Sequence, residues 1–399
     1  MIEQNLSTPK QEIDARIQKF QRWLVAEEID GAMILQNADL FYFAGTIQQA
    51  HLYIPAQGRP LLMVRKSFKR AQTESPLETI VPLPRPKEIM AILNDHGLQP
   101  PSVMGMELDV LPANHYFSYS RLFTGTQIRD ISMGIRMLRS IKSDYERSLI
   151  REAAALSDQV AELVPGLIRP GITEIELAGL IEAQARRLGH QGVIRMRLWG
   201  AEMFYGHLMA GPAAAVPSFL ASPTGGAAVN AAVAQGPSFR KIQAHEPILV
   251  DYMFAWKGYL SDHTRIFTIG TPPPDLVDAH ALMLDLQAQI KAMATPGTIA
   301  GDLYEAAVKI ANQKGVGDHF MGVGKNRIRL IGHGIGLEVD EFPFLASGQK
   351  LPLQENMVVA LEPKLIYPGI GVVGIENTHL VTPSGLVSLT HAKEQIVSV

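Results

Sequence analysis

Two stretches of 20 residues in the second part of this 399-residue chain, after about residue 139, repeat one another. Residues 170–189 read PGITEIELAGLIEAQARRLG, and residues 296–315 read PGTIAGDLYEAAVKIANQKG. Both open with Pro-Gly, place an acid and a leucine at the same offsets (Glu176-Leu177, Asp302-Leu303) and close with glycine. Each follows another helical segment and precedes strand-like sequence. A shared order and offset indicate a duplicated α–α–β unit. Two such units predict halves related by a pseudo-twofold axis, with sheet inside and helices outside.

The first part of the chain follows a different plan. Ile13, Ile17, Phe20 and Leu24 recur at helical spacing within residues 12–27. The runs GAMIL (31–35) and PLLMV (60–64) read as strands, residues 85–97 as a helix ending at Gly97, and SVMGMEL (102–108) as a further strand. Helices alternating with strands predict an α/β domain. A capping box, Ser143 with Glu146, opens a long amphipathic helix reaching about Val164. The boundary is therefore expected just before this helix, giving domains 1–138 and 139–399.

Four carboxylates stand out in the second domain. The segment ILVDYMFAWKGYLSDHTRIFTIG (248–270) predicts two apolar strands around a turn near residues 256–258. Asp251 and Asp262 lie about equally far from that turn and are expected to face each other across an antiparallel hairpin. Bare carboxylates in apolar strands are costly, and a cation removes the penalty. The alternative, one Asp capping the turn and the other solvated, fits poorly with flanks as apolar as ILV and RIFTI. The segment MVVALEPKLIYPGIGVVGIENTHLVT (357–382) repeats the design about a turn near residues 368–369, with Glu362 and Glu376 in the symmetric positions. His333 sits between glycines in LIGHGIGLEV. Alone it reads as a packed core residue. Beside the four acids it becomes a fifth ligand, because flanking glycines let other atoms come close. Four carboxylates and one imidazole can hold two divalent ions, an arrangement suited to hydrolysis. The oxygen-rich donor set favours Mn²⁺, with Co²⁺, Zn²⁺ or Fe²⁺ as alternatives.

Composition excludes other chemistries. The chain has no cysteine, so disulfides, thiolate metal sites and a cysteine nucleophile are ruled out. Lys and Arg (36) nearly balance Asp and Glu (39), so no basic excess favours nucleic acid or an anionic membrane surface. The N-terminal segment is polar, and the apolar region 206–234 is broken by Pro and Gly into loops and short strands. A soluble, cytoplasmic protein is the expectation.

The constellation resembles the M24 "pita-bread" metallopeptidases, which include prolidases, aminopeptidase P and methionine aminopeptidases. The family's Asp, Asp, His, Glu, Glu ligand set falls here on Asp251, Asp262 (SDHTR), His333 (GHGIGLEV), Glu362 (LEP) and Glu376 (GIENT). The intervals of 11 residues between the aspartates and 14 between the glutamates match the prolidase-like pattern. DGAMILQNADLFYFAGT resembles the creatinase/prolidase N-terminal domain, and LRSIKSDYERSLIREAA the entry to the catalytic domain. The resemblance implies that Asp251 binds one metal, that Asp262 and Glu376 bridge both, and that His333 and Glu362 bind the second. It implies a metal-bridging hydroxide as nucleophile, Glu362 as a proton relay and Thr264 as a supporting partner of a bridging carboxylate. It also implies a homodimer whose N-terminal domain helps cover the partner's active site.

Three positions depart from the prolidase-like pattern. The chain reads GLEVDE where the family usually has GLEVHE, so Asp340 replaces a substrate-contacting His. Gly374 stands where an Arg precedes the last Glu. The only His shortly before Asp251 is His245, too near to match. Asp340 is retained as a catalytic candidate by its position. His207, near Tyr205 in a loop-like, Gly-bounded stretch, is the candidate replacement imidazole; an ordinary loop residue is the equal alternative. The expected function is a dinuclear metal-dependent hydrolase of the Xaa-Pro dipeptidase or aminopeptidase type, acting on a small peptide or peptide-like amide. A metal-dependent lyase or non-peptide C–N hydrolase is the alternative.

Overall fold

A computed structural model describes residues 7–219 and 222–399. The chain forms two compact units, Met1–Arg139 and Ser140–Val399.

In the first unit a six-stranded sheet is built from β1 (Gly31–Ile34), β2 (Ala50–Pro55), β3 (Leu61–Val64), β4 (Ile80–Pro82), β5 (Val103–Met106) and β6 (Gln127–Asp130). The strand order is β4-β3-β2-β1-β5-β6. Antiparallel pairing around β2 and parallel pairing elsewhere make it a mixed sheet. Six helices accompany it: α1 (Lys10–Ala26), α2 (Asn37–Ala44), α3 (Phe68–Glu74), α4 (Ile89–Asp95), α5 (Ala113–Leu122) and α6 (Ser132–Ser140). Helix α1 buries Ile13, Ile17, Phe20 and Leu24, the stripe its periodicity predicts. The sequence reading passes over β2, whose residues are all buried and so carry no alternation.

The second unit opens with α7 (Asp144–Leu163), whose capping box is formed: Ser143 accepts from the Glu146 amide while Glu146 accepts from the Ser143 amide. Next come α8 (Glu174–Arg187), β7 (Gly206–Ala210) and the hairpin β8 (Ile248–Trp256) and β9 (Tyr259–Thr268). Then follow α9 (Pro274–Met293), α10 (Ala300–Gln313), β10 (Leu330–Gly334) and β11 (Glu341–Ala346). The chain ends with β12 (Val358–Leu361), β13 (Lys364–Tyr367), β14 (Gly371–Gly374), β15 (Asn377–Thr382), β16 (Gly385–Ser388) and β17 (Val397–Ser398).

The repeat is visible in element lengths. Helices α7 and α9 have 20 residues each, and α8 and α10 have 14 each. Each helix pair covers its own sheet. The sheet β17-β9-β8-β7 packs Leu208, Val250, Tyr252 and Phe254 against Val160, Leu177 and Ile181 of the first pair. The sheet β11-β10-β12-β15-β16 packs Val359, Leu361 and Val381 against Leu286, Ile290, Leu303 and Ala307 of the second. Strand alternation then turns the intervening residues away from the helices, and these residues build the site. Among the described residues no helix is long and apolar enough to cross a membrane.

A buried histidine in the first unit makes its stability pH-dependent. His51 on β2 bonds through Nε2 to the Tyr119 hydroxyl at 2.6 Å, and burial pushes its pKa down to about 4. The folded state holds it neutral, whereas the unfolded chain protonates near pH 6.5. This stability is therefore present above about pH 6.5 and is lost as pH falls toward 4. At pH 5 the unit should be roughly 2 kcal/mol less stable than at pH 7 from this group alone. His51→Asn should flatten that part of the pH dependence of the urea midpoint.

Candidate metal centre

Strand alternation sets the first two acids. In β8, Val250, Tyr252 and Phe254 face the helices, so Asp251 and Met253 face the other way into a cavity of about 110 Å³. Asp262 on β9 faces the same cavity. The register corrects one expectation: Asp251 pairs with Thr264 and Asp262 with Met253, so the two aspartates are diagonal rather than opposite. The turn explains it. Lys257 and Gly258 both take positive φ (48° and 92°), forming a two-residue loop between Trp256 and Tyr259. A shift of one residue in the turn centre moves every partner by two.

Glu362 and Glu376 come from the other half. The ladder Val358↔Leu380 to Leu361↔Asn377 resumes in the same register at Lys364↔Gly374 and ends at Tyr367↔Gly371. The two glutamates fall opposite each other in the interruption. Glu376 is tied to β9 by backbone pairing with Thr264, whose hydroxyl donates to Glu376 Oε2 at 2.8 Å. Thr264 thus supports this carboxylate, as expected. Arg265, which sequence reasoning missed, is fully buried and donates to the carbonyls of Glu376 and Thr264 and to Asn377 Oδ1. Thr378 accepts from the Asp262 amide and donates to its carbonyl.

His333 lies on β10, paired with Phe344 on one side and Ala360 on the other. Its glycine neighbours serve the sheet. A Cβ on Gly332 would lie 2.3 Å from the Ala360 carbonyl oxygen, and one on Gly334 would lie 2.1 Å from that of Phe342. The bare backbone admits adjacent strands rather than an ion or substrate. The ring places Nδ1 3.2 Å from the Gly334 carbonyl and Nε2 3.9 Å from one oxygen each of Glu362 and Glu376.

Asp262, His333 and Glu376 each offer a ligand atom, all within 4.8 Å of one another. Asp262 Oδ1 is buried with no hydrogen-bond partner. Burial and the neighbouring Glu376 and Asp251 raise the Asp262 pKa well above the ordinary carboxylate value. Burial, with Asp251 and Glu362 adding to it, pushes Glu376 up to about 8 against the opposing pull of Lys364. An orphaned carboxylate oxygen beside an imidazole and a second carboxylate suits a divalent cation, which relieves both desolvation and repulsion.

The remaining corner holds a residue that the sequence reading missed. Lys364 is fully buried, and its Nζ donates to Asp251 Oδ2 (3.1 Å), Glu362 Oε2 (2.7 Å) and Glu376 Oε2 (3.0 Å). Burial alone would lower its pKa, but the three carboxylates outweigh that and raise it well above the ordinary lysine value. The signal was present in the sequence. Lys364 is a lone base in an apolar strand, two residues after Glu362 and so on the same face.

His207 is on strand β7, not in a loop, directly paired with Asp251. It is buried and lines the cavity; Nδ1 lies 3.2 Å from the Thr224 hydroxyl, and Nε2 has no partner. Burial lowers its pKa. Tyr205 instead stacks on His190 at 4.3 Å. Asp340 lines the cavity, but its two oxygens accept from the Arg197 and Leu198 amides at 2.9 and 2.8 Å. Its carboxylate thus holds the 197–198 backbone at the cavity wall. His245 has positive φ and bonds to the Thr271 carbonyl, outside the cavity lining.

Residues 148–383 match the family described as metallopeptidase family M24, and residues 16–141 match the creatinase/prolidase N-terminal domain. An uncharacterized peptidase of Staphylococcus epidermidis is 27% identical over 385 residues, covering 94% of this chain and 98% of the relative. A structure titled Xaa-Pro dipeptidase from Bacillus anthracis superposes with a TM-score of 0.82 at 24% identity, covering 97% of this chain and all of that one. An X-Pro aminopeptidase from Thermotoga maritima gives 0.80 at 23% identity, covering 96% and 99%.

Thr264→Val should leave Glu376 Oε2 without its hydroxyl donor. We expect Mn²⁺ affinity to fall about 10- to 100-fold, measured by calorimetric titration. Unchanged affinity would mean that this hydrogen bond does not orient the ligand.

Proposed function

Because this chain belongs to metallopeptidase family M24, we propose that it is a metal-dependent hydrolase of the Xaa-Pro dipeptidase type, cleaving a small peptide or peptide-like amide. The observation that carries the reading is the convergence of Asp262, His333 and Glu376 at a cavity that His207 also lines. These three side chains would hold the ion, with Mn²⁺ the first choice for an oxygen-rich set and Co²⁺, Zn²⁺ or Fe²⁺ the alternatives. When bound, a divalent ion at such a site supplies Lewis acidity and water activation near neutral pH.

The chain's own groups do the rest. Glu362 Oε1 faces His333 while Oε2 is held by Lys364, so this carboxylate is fixed in orientation. It is the group to carry a proton from the attacking water to the departing amine. Burial keeps the His207 imidazole neutral. In the tautomer whose Nδ1 accepts from the Thr224 hydroxyl, Nε2–H is a donor available to a substrate carbonyl. Met196, Leu198, Met203, Val339 and Phe344 give the cavity apolar walls. The family also supports a homodimer, checkable by light scattering.

Metal-loaded protein should hydrolyse Xaa-Pro dipeptides, lose that activity to a chelator and regain it with Mn²⁺. Asp262→Ala should remove ion binding and lower kcat/KM at least 1,000-fold, a loss of about 4 kcal/mol in transition-state stabilisation. Metal-loaded protein that turns over non-peptide amides but no proline peptide would move the assignment to a C–N hydrolase on this scaffold.

A further inference from the structure

The five expected ligands do not all face free space. Asp251, Glu362 and Glu376 each direct one oxygen to a single point, and Lys364 Nζ occupies it at 2.7–3.1 Å. Three acceptors use all three donors of an ammonium, so the group is fully satisfied as a cation. The glutamates are split accordingly. Their Oε2 atoms turn to Lys364, and their Oε1 atoms turn to His333.

The space for the lysine is built into the fold. Lys364 pairs directly across the ladder with Gly374. A Cβ on Gly374 would lie 2.8 Å from Lys364 Cγ and 2.5 Å from the Pro363 carbonyl oxygen. Glycine at this position admits both the opposing main chain and the lysine stem, and Gly374 shares the site face with Glu376, two residues on.

Charge points the same way. Four carboxylates, one ammonium and one dication leave the centre with a single negative charge. A second dication would leave it positive and would stand on oxygens the ammonium already uses, within close range of a like charge.

We propose that the Lys364 ammonium permanently takes one of the two cation positions, so that each chain binds one divalent ion, held by Asp262, His333 and Glu376. This rests on reading the chain as a metal-dependent hydrolase. Lys364 is a built-in cation that holds Asp251, Glu362 and Glu376 in place, and it needs no ion to be recruited there.

The test is stoichiometry. Metal-stripped full-length protein is equilibrated with excess Mn²⁺, then with Zn²⁺, and bound metal is measured by equilibrium dialysis and elemental analysis. Wild type should bind about one ion per chain, and its Mn²⁺ electron-paramagnetic spectrum should be that of an isolated ion. Lys364→Met opens the position and should raise binding to about two, with an exchange-coupled spectrum. Two ions in the wild type, or an exchange-coupled wild-type spectrum, overturns the inference and leaves the hydrolase reading standing. One ion in a folded Lys364→Met also overturns it. If that variant fails to fold, the wild-type count and spectrum decide alone. No ion in the wild type sinks the metal-dependent reading and this inference with it.

Discussion

Four carboxylates pressed onto one buried face are the constraint around which the second unit is arranged. Uncompensated, each buried charge costs several kcal/mol, and each raises the cost of its neighbours. The fold brings them together anyway, because strand alternation sends Val250, Tyr252 and Phe254 to the helices and leaves Asp251 on the opposite side. Compensation comes from an internal ammonium at one end and from a cation-ready trio of Asp262, His333 and Glu376 at the other. Around them, Thr264, Thr378 and Arg265 fix the backbone and oxygens so that the acids cannot turn away to solvent.

Much of this was legible in the sequence. The duplicated helix pair, the capping box at Ser143 and both acid-bearing hairpins follow from offsets and alternation, which are local properties. The structure brings Asp251, Asp262, His333, Glu362, Glu376 and His207 to one cavity. What failed was whatever depended on a single-residue shift or on a distant partner. The Lys257–Gly258 turn displaced the aspartates from direct opposition to a diagonal. Nothing in the sequence around Asp340 foretells that it accepts from the amides of residues 197 and 198, far away in the chain. Arg265 and Lys364 were hidden inside apolar strands, where a single base looks like noise until its acceptors are known.

The glycines beside His333 illustrate the same limit. Bare backbone next to an imidazole suggested room for a ligand. The strands β11 and β12 fill that room with their own carbonyls, so the glycines serve the imidazole indirectly, by letting its strand be gripped from both sides. A side chain at 332 would force β10 away from β12, the strand that leads into Glu362, and one at 334 would force it away from β11.

The pairing of Lys364 with Gly374 ties together two positions that the chain separates by a whole hairpin. Only hydrogen is tolerated at 374, where a Cβ would meet the opposing main chain as well as the lysine stem. Replacing the lysine would not by itself admit a side chain at 374, because two of the three atoms that a Cβ would meet, the Pro363 carbonyl oxygen and the Lys364 Cα, belong to the main chain. The bare backbone at 374 therefore belongs to the close approach of the two strands themselves, and the lysine stem uses a gap that the hairpin already requires.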